Sequence, residues 1–262
     1  MLVAPTVHAA TSSYACLIEP AQTIELGLPV GGMLERVLVK RGDRVKRGQV
    51  LASLESRTEI AATELARYKS QMSGPIQLAQ SKIEFTQRKY ERRSHMAAEK
   101  LMSKQDSDDA EAEFKQAQAE LKVAQENREV AQLDYMKQKS ELDARTLYSP
   151  FDGVVVDQMM WPGETVEPGA TKHAILKLAQ LDPLQVRVVI PMQAFGQIQR
   201  GMSVAVIPET NPGKAYDAKV SNVDRIIDAA SGTFVVLLDL PNPKLDLPSG
   251  VKCQAAFEYA KH

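Results

Sequence analysis

VKRGDRVKRGQVLASLES (39–56) and LYSPFDGVVVDQMMWPGETVEPG (147–169) are two versions of one phrase, and the fold follows from reading them together. Pro29-Val30-Gly31-Gly32-Met33 answers Pro150-Phe151-Asp152-Gly153-Val154. Gly42-Asp43-Arg44-Val45 answers Gly163-Glu164-Thr165-Val166, and Gly48 answers Gly169. The glycines fall at turn positions between short strands, with Val45, Val50, Leu51 and Leu54 as inward-facing candidates. Neither half is large enough to bury a core by itself, so the repeat is expected to close into one β-sandwich from residues 20–55 and 146–180.

Residues 56–145 separate the halves and read as a pair of long helices, rich in Ala, Glu, Gln, Lys and Arg. The second arm carries a 3-4 spacing through Phe114, Ala117, Leu121, Ala124, Arg128, Ala131, Tyr135, Gln138 and Leu142, the seam of a helix packed along one partner. The first arm shows a rougher version at Leu65, Met72, Ile76, Ala79, Ile83, Thr86 and Tyr90. Gly74-Pro75 predicts a kink or break there, because proline removes a helix hydrogen bond and crowds the preceding turn. The tip is expected near residues 96–106, with Ser103 and Asp106 opening the second helix where acidic groups meet unpaired N–H groups. Arms of about 40 residues at roughly 1.5 Å each would reach about 60 Å.

Outside these segments the chain reads as strands. Ala15-Cys16-Leu17-Ile18 is a short apolar run closed by Pro20. Gln185 to Ile190, Val204 to Ile207, Lys219 to Val223, Thr233 to Leu238 and Val251 to Phe257 alternate as half-buried strands. Pro191 to Gln199 reads as one short helix with proline at its first turn. Residues 14–19 with 181–257 therefore suit a small β-barrel. Residues 1–13 read as a signal remnant, with Val7-His8-Ala9 as an A-x-A-like cleavage site, or as a disordered leader. Residues 258–262 read as a tail.

Composition narrows the function classes. A net charge of −1 with 5% aromatic residues leaves no electrostatic footprint for nucleic acid. No run approaches the roughly 18 apolar residues of a membrane span. His8, His95, His173 and His262 are scattered, and Cys16 and Cys253 have no metal-ligand spacing. Asp106, Asp108 and Asp109 lack the glycine and terminal glutamate of a calcium loop. The methionines are dispersed, and the adjacent Met159 and Met160 would point to opposite faces of a strand, so gap filling accounts for them better than soft-metal binding. No nucleophile–base pair or phosphate loop is present. No enzyme, metal or cofactor is expected.

P-x-x-G-x-(V/L) followed by G-(D/E)-x-V-x-x-G, twice, resembles the two halves of a biotinyl/lipoyl domain. No lysine sits at a turn tip where a carrier would be modified, because the helical insertion replaces that turn. A split lipoyl domain carrying such a hairpin resembles the periplasmic adaptor (membrane fusion) proteins of bacterial tripartite efflux systems, over residues 14–257. The resemblance implies an elongated multidomain chain, mixed α and β. It would hold a lipoyl-like β-sandwich, an inserted coiled-coil hairpin and a small barrel, with the membrane-proximal domain of the family missing or rudimentary.

It also implies a function and partners. The chain would link an inner-membrane transporter, of the resistance-nodulation-division class, to an outer-membrane channel. It would act in the periplasm of a Gram-negative bacterium, held at the inner membrane through its partners. Copies would associate, as a hexamer by family analogy, and no nucleic acid would be bound. Adaptors that dock a channel resemble R-x3-L-x6-S at the tip. Here Arg92, Met96 in place of leucine, and Ser103 stand at that spacing. An arginine fork suits carbonyls or carboxylates, and Leu to Met roughly keeps volume. The alternative reading is a solvated Arg92, Met96 in the seam and Ser103 as a cap. In an oxidising periplasm Cys16 and Cys253 are either two buried thiols or a disulfide, the latter worth about 4–5 kcal/mol by loop entropy. An ABC-exporter adaptor shares these domains. A coiled-coil scaffold or an unmodified lipoyl-type protein is the alternative of another class.

Overall fold

The computed structural model describes residues 9–167 and 174–260. Met1–His8, with most of the expected cleavage site, lie outside the described residues, as do Gly169, His173 and His262. The chain divides into two units, one made of the segments up to Leu54 and from Leu147 onward, the other of Glu55–Thr146.

The described residues of the first unit are mainly β-strand. Its strands are β1 (Ala9–Leu26), β2 (Gly32–Val37), β3 (Arg44–Val45) and β4 (Val50–Leu54) before the insertion. After it come β5 (Thr146–Tyr148), β6 (Gly153–Gln158), β7 (Thr165–Val166), β8 (Leu176–Pro191), β9 (Ser203–Pro208), β10 (Tyr216–Val223), β11 (Thr233–Leu240) and β12 (Val251–Ala260). The antiparallel order β1-β12-β9-β10-β11-β8 closes on itself because β1 also pairs with β8, giving a six-stranded barrel. Closure leaves no unpaired sheet edge in water. Its core is lined by Ile18, Leu184, Val186, Val188, Ile190, Phe234 and Phe257, among others.

β1 and β8 are long because each serves two cores. Leu184–Pro191 of β8 pairs with β11, whereas Leu176–Ala179 pairs with β6 in the half-barrel. β1 passes from one to the other at a bulge between Pro20 and Gln22. A proline has no N–H to give a ladder, so a bulge is where a strand tolerates it. The expected boundaries near residues 20 and 181 are therefore bends within continuous strands. Two expectations need correction. Residues 9–13 are not leader: they pair with β12 as far as Ala9 opposite Ala260, which also makes residues 258–260 strand rather than tail. Pro191–Gln199 is not a helix: only Met192–Ala194 form a 3₁₀ turn, since Phe195 is extended and Gly196 has φ +86°.

The split repeat is reproduced bond for bond in the half-barrel. The Gly42 N–H donates to the Val155 carbonyl, and the Gly163 N–H donates to the Leu34 carbonyl, both at 2.8 Å. Reciprocally, the Val155 N–H donates to Asp43 O and the Leu34 N–H to Glu164 O. Each turn is held by its own acidic side chain: Asp43 accepts from the Lys40 N–H at 2.7 Å, and Glu164 from the Trp161 N–H at 2.9 Å. Gly42 and Gly163 have φ of +90° and +94°, a region that glycine enters without steric cost. Each half thus supplies the hydrogen bonds that the other lacks. Leu34, Leu51, Leu54, Val155, Ile175 and Leu178 fill the shared core. β4 and β5 lie side by side in the second sheet, so the chain departs and returns on neighbouring strands.

Candidate interaction site at the hairpin tip

The second unit contains α1 (Arg57–Gln71), α2 (Gly74–Ala98) and α3 (Lys104–Asp143), and α1 and α2 both pack along α3. The break falls where Gly74-Pro75 placed it. Met72 is extended with ψ 124°, Ser73 stands at the N-cap position of α2 without a side-chain capping bond, and Pro75 stands in the first turn. α3 runs uninterrupted for 40 residues opposite that break.

On α3 the expected seam is buried or half-buried at every position except Arg128. Arg128 faces the gap left by the break, where Met72 and Pro75 line the same concavity. On α2, Ile76, Ala79, Ile83, Thr86 and Tyr90 face the partner as expected, and the Tyr90 ring stacks on Phe114 with centroids 6.2 Å apart. On α1 the expectation fails: Leu65 and Met72 are exposed, and the seam runs instead through Thr63, Ala66 and Ser70. Leu65 and Met72 continue the phase of α2 backwards through the break, but the interruption shifts the register by one residue. The true seam is small, and Thr63 Oγ1 donates to the Gln138 carbonyl at 3.2 Å.

Cross-helix ion pairs border the seam. Lys82 meets Glu120 at 2.6 Å, and Lys89 meets Glu113. The hydrogen bond from each lysine is the main reason the Glu113 and Glu120 carboxyls titrate below the usual glutamate range. Lower down, Arg145 pairs with Glu59 at 2.6 Å and donates to the Glu55 carbonyl at 2.8 Å.

The tip is a tight, fully bonded turn. The Leu101 N–H donates to Met96 O at 2.8 Å and the Lys100 N–H to Ala97 O at 3.0 Å, with Lys100 at φ +60°. This is a Schellman closure with lysine in the left-handed position that glycine usually takes. Ser103 then starts α3: its Oγ accepts from the Asp106 N–H at 3.2 Å and donates to Asp106 Oδ2 at 2.6 Å. Of the three residues singled out, Met96 and Ser103 lie within this turn, and Arg92 stands one helical turn below Met96 on the same face and is exposed. Arg93 was not anticipated. It is half-buried, and its Nη1 donates to Asp106 O at 3.4 Å, tying α2 to the first turn of α3. Its signal was readable, since it continues the 3-4 spacing after Thr86 and Tyr90. The arrangement presents an exposed cationic fork and a half-buried apolar side chain beside a hydrogen-bonded turn. Among the described residues no group of three or more His, Cys, Asp or Glu gathers that would hold a metal.

A half-barrel from a split repeat, a helical hairpin inserted at its central turn and a six-stranded barrel together make the architecture of membrane fusion, or periplasmic adaptor, proteins. The chain belongs to the CzcB-like barrel-sandwich hybrid family, whose profile matches residues 22–179. Membrane fusion adaptors of this family are structural linkers and not enzymes. The chain is 27% identical over 208 residues to the pyoverdine export membrane fusion protein PvdR of Pseudomonas aeruginosa, covering 79% of this chain and 53% of that protein. It is 31% identical to a UPF0194 membrane protein of Acidithiobacillus ferridurans, covering 71% of this chain and 65% of that one. The chain thus spans between about half and two-thirds of these relatives. The crystal structure of MacA from Actinobacillus actinomycetemcomitans superposes with a TM-score of 0.78 over 97% of this chain and 79% of that one, at 23% identity, and shows the same fold.

Proposed function

We propose that this chain is the periplasmic adaptor of a tripartite export system in a Gram-negative bacterium, joining an inner-membrane transporter to an outer-membrane channel through the hairpin tip. The observation that carries this is the tip itself: a capped turn with Arg92 exposed and Met96 half-buried beside it. A guanidinium offers several donors in one plane to carbonyls or carboxylates of a partner helix, and Met96 offers an adaptable apolar contact. Among the described residues no helix is long and apolar enough to cross a membrane. Copies of the chain associate around the transport path, in the reading as a hexamer. The transporter is read as a resistance-nodulation-division pump. Dependence of export on the proton gradient supports that class, and dependence on ATP hydrolysis replaces it with an ABC exporter.

The test is in-cell crosslinking from single cysteines at Met96→Cys or Lys100→Cys, with the buried Cys16 and Cys253 left in place. Capture of an outer-membrane channel, lost in Arg92→Ala, is expected. Capture of sibling copies alone, with export intact, would mean that the tip residues serve helix closure and that the partner binds elsewhere.

A further inference from the structure

Two departures from seam chemistry meet at one place in the hairpin, although they lie far apart in sequence. Gly74-Pro75 interrupts the arm made by α1 and α2. Arg128 puts a guanidinium into a seam of α3 that otherwise carries Ala, Leu, Phe, Tyr and Gln. In an unbroken seam that guanidinium would lose its water without gaining a partner, which is unfavourable. The break removes the helix that would cover it, and Arg128 instead lines a concavity of about 340 Å³, a volume within the range of small-molecule sites.

The concavity has a cationic part and an apolar part. Lys69, in the last turn of α1, and Arg128 both stand in its wall, with Asn127 next to Arg128. Among the described residues neither cation meets a carboxylate, whereas Lys82, Lys89 and Arg145 beside the seam each meet a glutamate. Glu120 also lines the wall, but its carboxylate already accepts from Lys82 Nζ and, at 3.1 Å, from Gln116 Nε2. Met72, Pro75, Ile76 and Val123 form the apolar part, and Met72 and Val123 are left 47% and 54% exposed. A second concavity of about 340 Å³ continues the first along α2 and α3. It shares Pro75, Glu120 and Ala124 and adds Leu78, which is 75% exposed. From Ala131 to Glu120 the two together run about 16 Å along α3, at roughly 1.5 Å per residue. Cations without partners thus stand in the same groove as large apolar side chains that the hairpin itself leaves in water.

We propose that this notch binds a small amphipathic anion, with its carboxylate head on Arg128 and Lys69 and its alkyl or aryl tail along Met72, Val123 and Leu78. A guanidinium presents parallel N–H donors to a carboxylate, and the ammonium adds a compact charge. A helix of a protein partner fits less well, because it is about 10–12 Å across and would bridge the notch rather than enter it. A ligand seated there touches α1, α2 and α3 together and holds both pieces of the broken arm against α3. The site is separate from the tip and does not depend on the docking proposed there.

The experiment is isothermal titration calorimetry of the full-length chain with dodecanoate below its micelle concentration. The expected result is one saturable site, weakened about tenfold or more in Arg128→Gln and in Lys69→Gln, as loss of a hydrogen bond to a charged group implies. Dodecyltrimethylammonium, with the same tail and the opposite charge, should show no saturable site. Phe85→Ser, at an exposed position of α2 outside the notch, should bind dodecanoate as the unaltered chain does. An unchanged helical circular dichroism signal checks that each variant is folded. A dodecanoate analogue with a diazirine in its tail should label peptides that contain Met72, Leu78 or Val123. Saturable binding of the cationic analogue, full affinity in Arg128→Gln and Lys69→Gln, equal weakening in Phe85→Ser, labelling confined to other peptides, or no saturable binding overturns the proposal.

Discussion

At the scale of the residue, Lys100 closes the tip with a left-handed backbone that carries a Cβ penalty. Lys100→Gly is expected to stabilise the turn by about 0.5–1 kcal/mol, read as slower amide exchange at Leu101. Faster exchange would show that the lysine side chain holds the turn by contacts of its own. Gly153 is the reverse case. A Cβ there would meet the Ala179 carbonyl at 2.6 Å and the Phe151 ring at 2.9 Å. Gly153→Ala should lower unfolding stability by about 1–3 kcal/mol in a denaturant titration. Cys16 and Cys253 are direct partners across β1 and β12, both buried, and their sulfurs are bonded in the structure. We propose that they form a disulfide in the cell, and a non-reduced peptide digest should give one linked peptide. Its loss in Cys253→Ser should cost about 2–5 kcal/mol, because it closes a loop of 237 residues. Only free thiols in oxidised material would remove this account.

At the scale of the element, the hairpin is held by a narrow seam and by exposed cross-helix ion pairs. Glu113 and Glu120 titrate below the ordinary value of 4.5 in the folded chain because of their lysine partners. A folded carboxyl that is harder to protonate adds stability above the unfolded value, and that stability disappears as the pH falls through the folded one. The melting of α2 and α3 should thus be level from about pH 6 to 8 and fall below about pH 4.5. Neutralising both glutamates in Glu113→Gln/Glu120→Gln should flatten that acid limb. An acid limb that survives unchanged would assign it to other carboxylates. The elements also mark where sequence reading stopped. The α2 and α3 faces were legible because their 3-4 spacing is continuous. α1 was not, because a one-residue phase shift across Met72–Gly74 leaves no trace in the hydrophobic spacing, and its seam of Thr63, Ala66 and Ser70 carries little apolar signal.

At the scale of the whole molecule, the hairpin is an insertion between two neighbouring strands of a unit that makes its own core. Replacing residues 55–146 by an Asn-Gly turn between Leu54 and Leu147 should leave a chain that melts cooperatively, since the exchanged bonds among Leu34, Gly42, Val155 and Gly163 all lie outside the deleted segment. That variant should no longer capture a channel. Loss of cooperative melting would mean that the half-barrel depends on the hairpin.

The sequence by itself determined the split repeat, the helical insertion, the break at Gly74-Pro75 and the strand character of the rest. Each of these is written in turn residues and local spacing, which act between near neighbours in the chain. Tertiary structure alone decided that Pro20 sits at a bulge inside one long strand and that Ala9–Ser13 join the barrel. It also decided that Phe195 and Gly196 end a helix before it forms, and that Arg93 rather than Arg92 spans the tip. Those outcomes depend on which distant segment satisfies a given N–H, carbonyl or apolar face. Such pairings are set by closure of the barrel and by the register of α3 against two helices, across separations in sequence that no local pattern records.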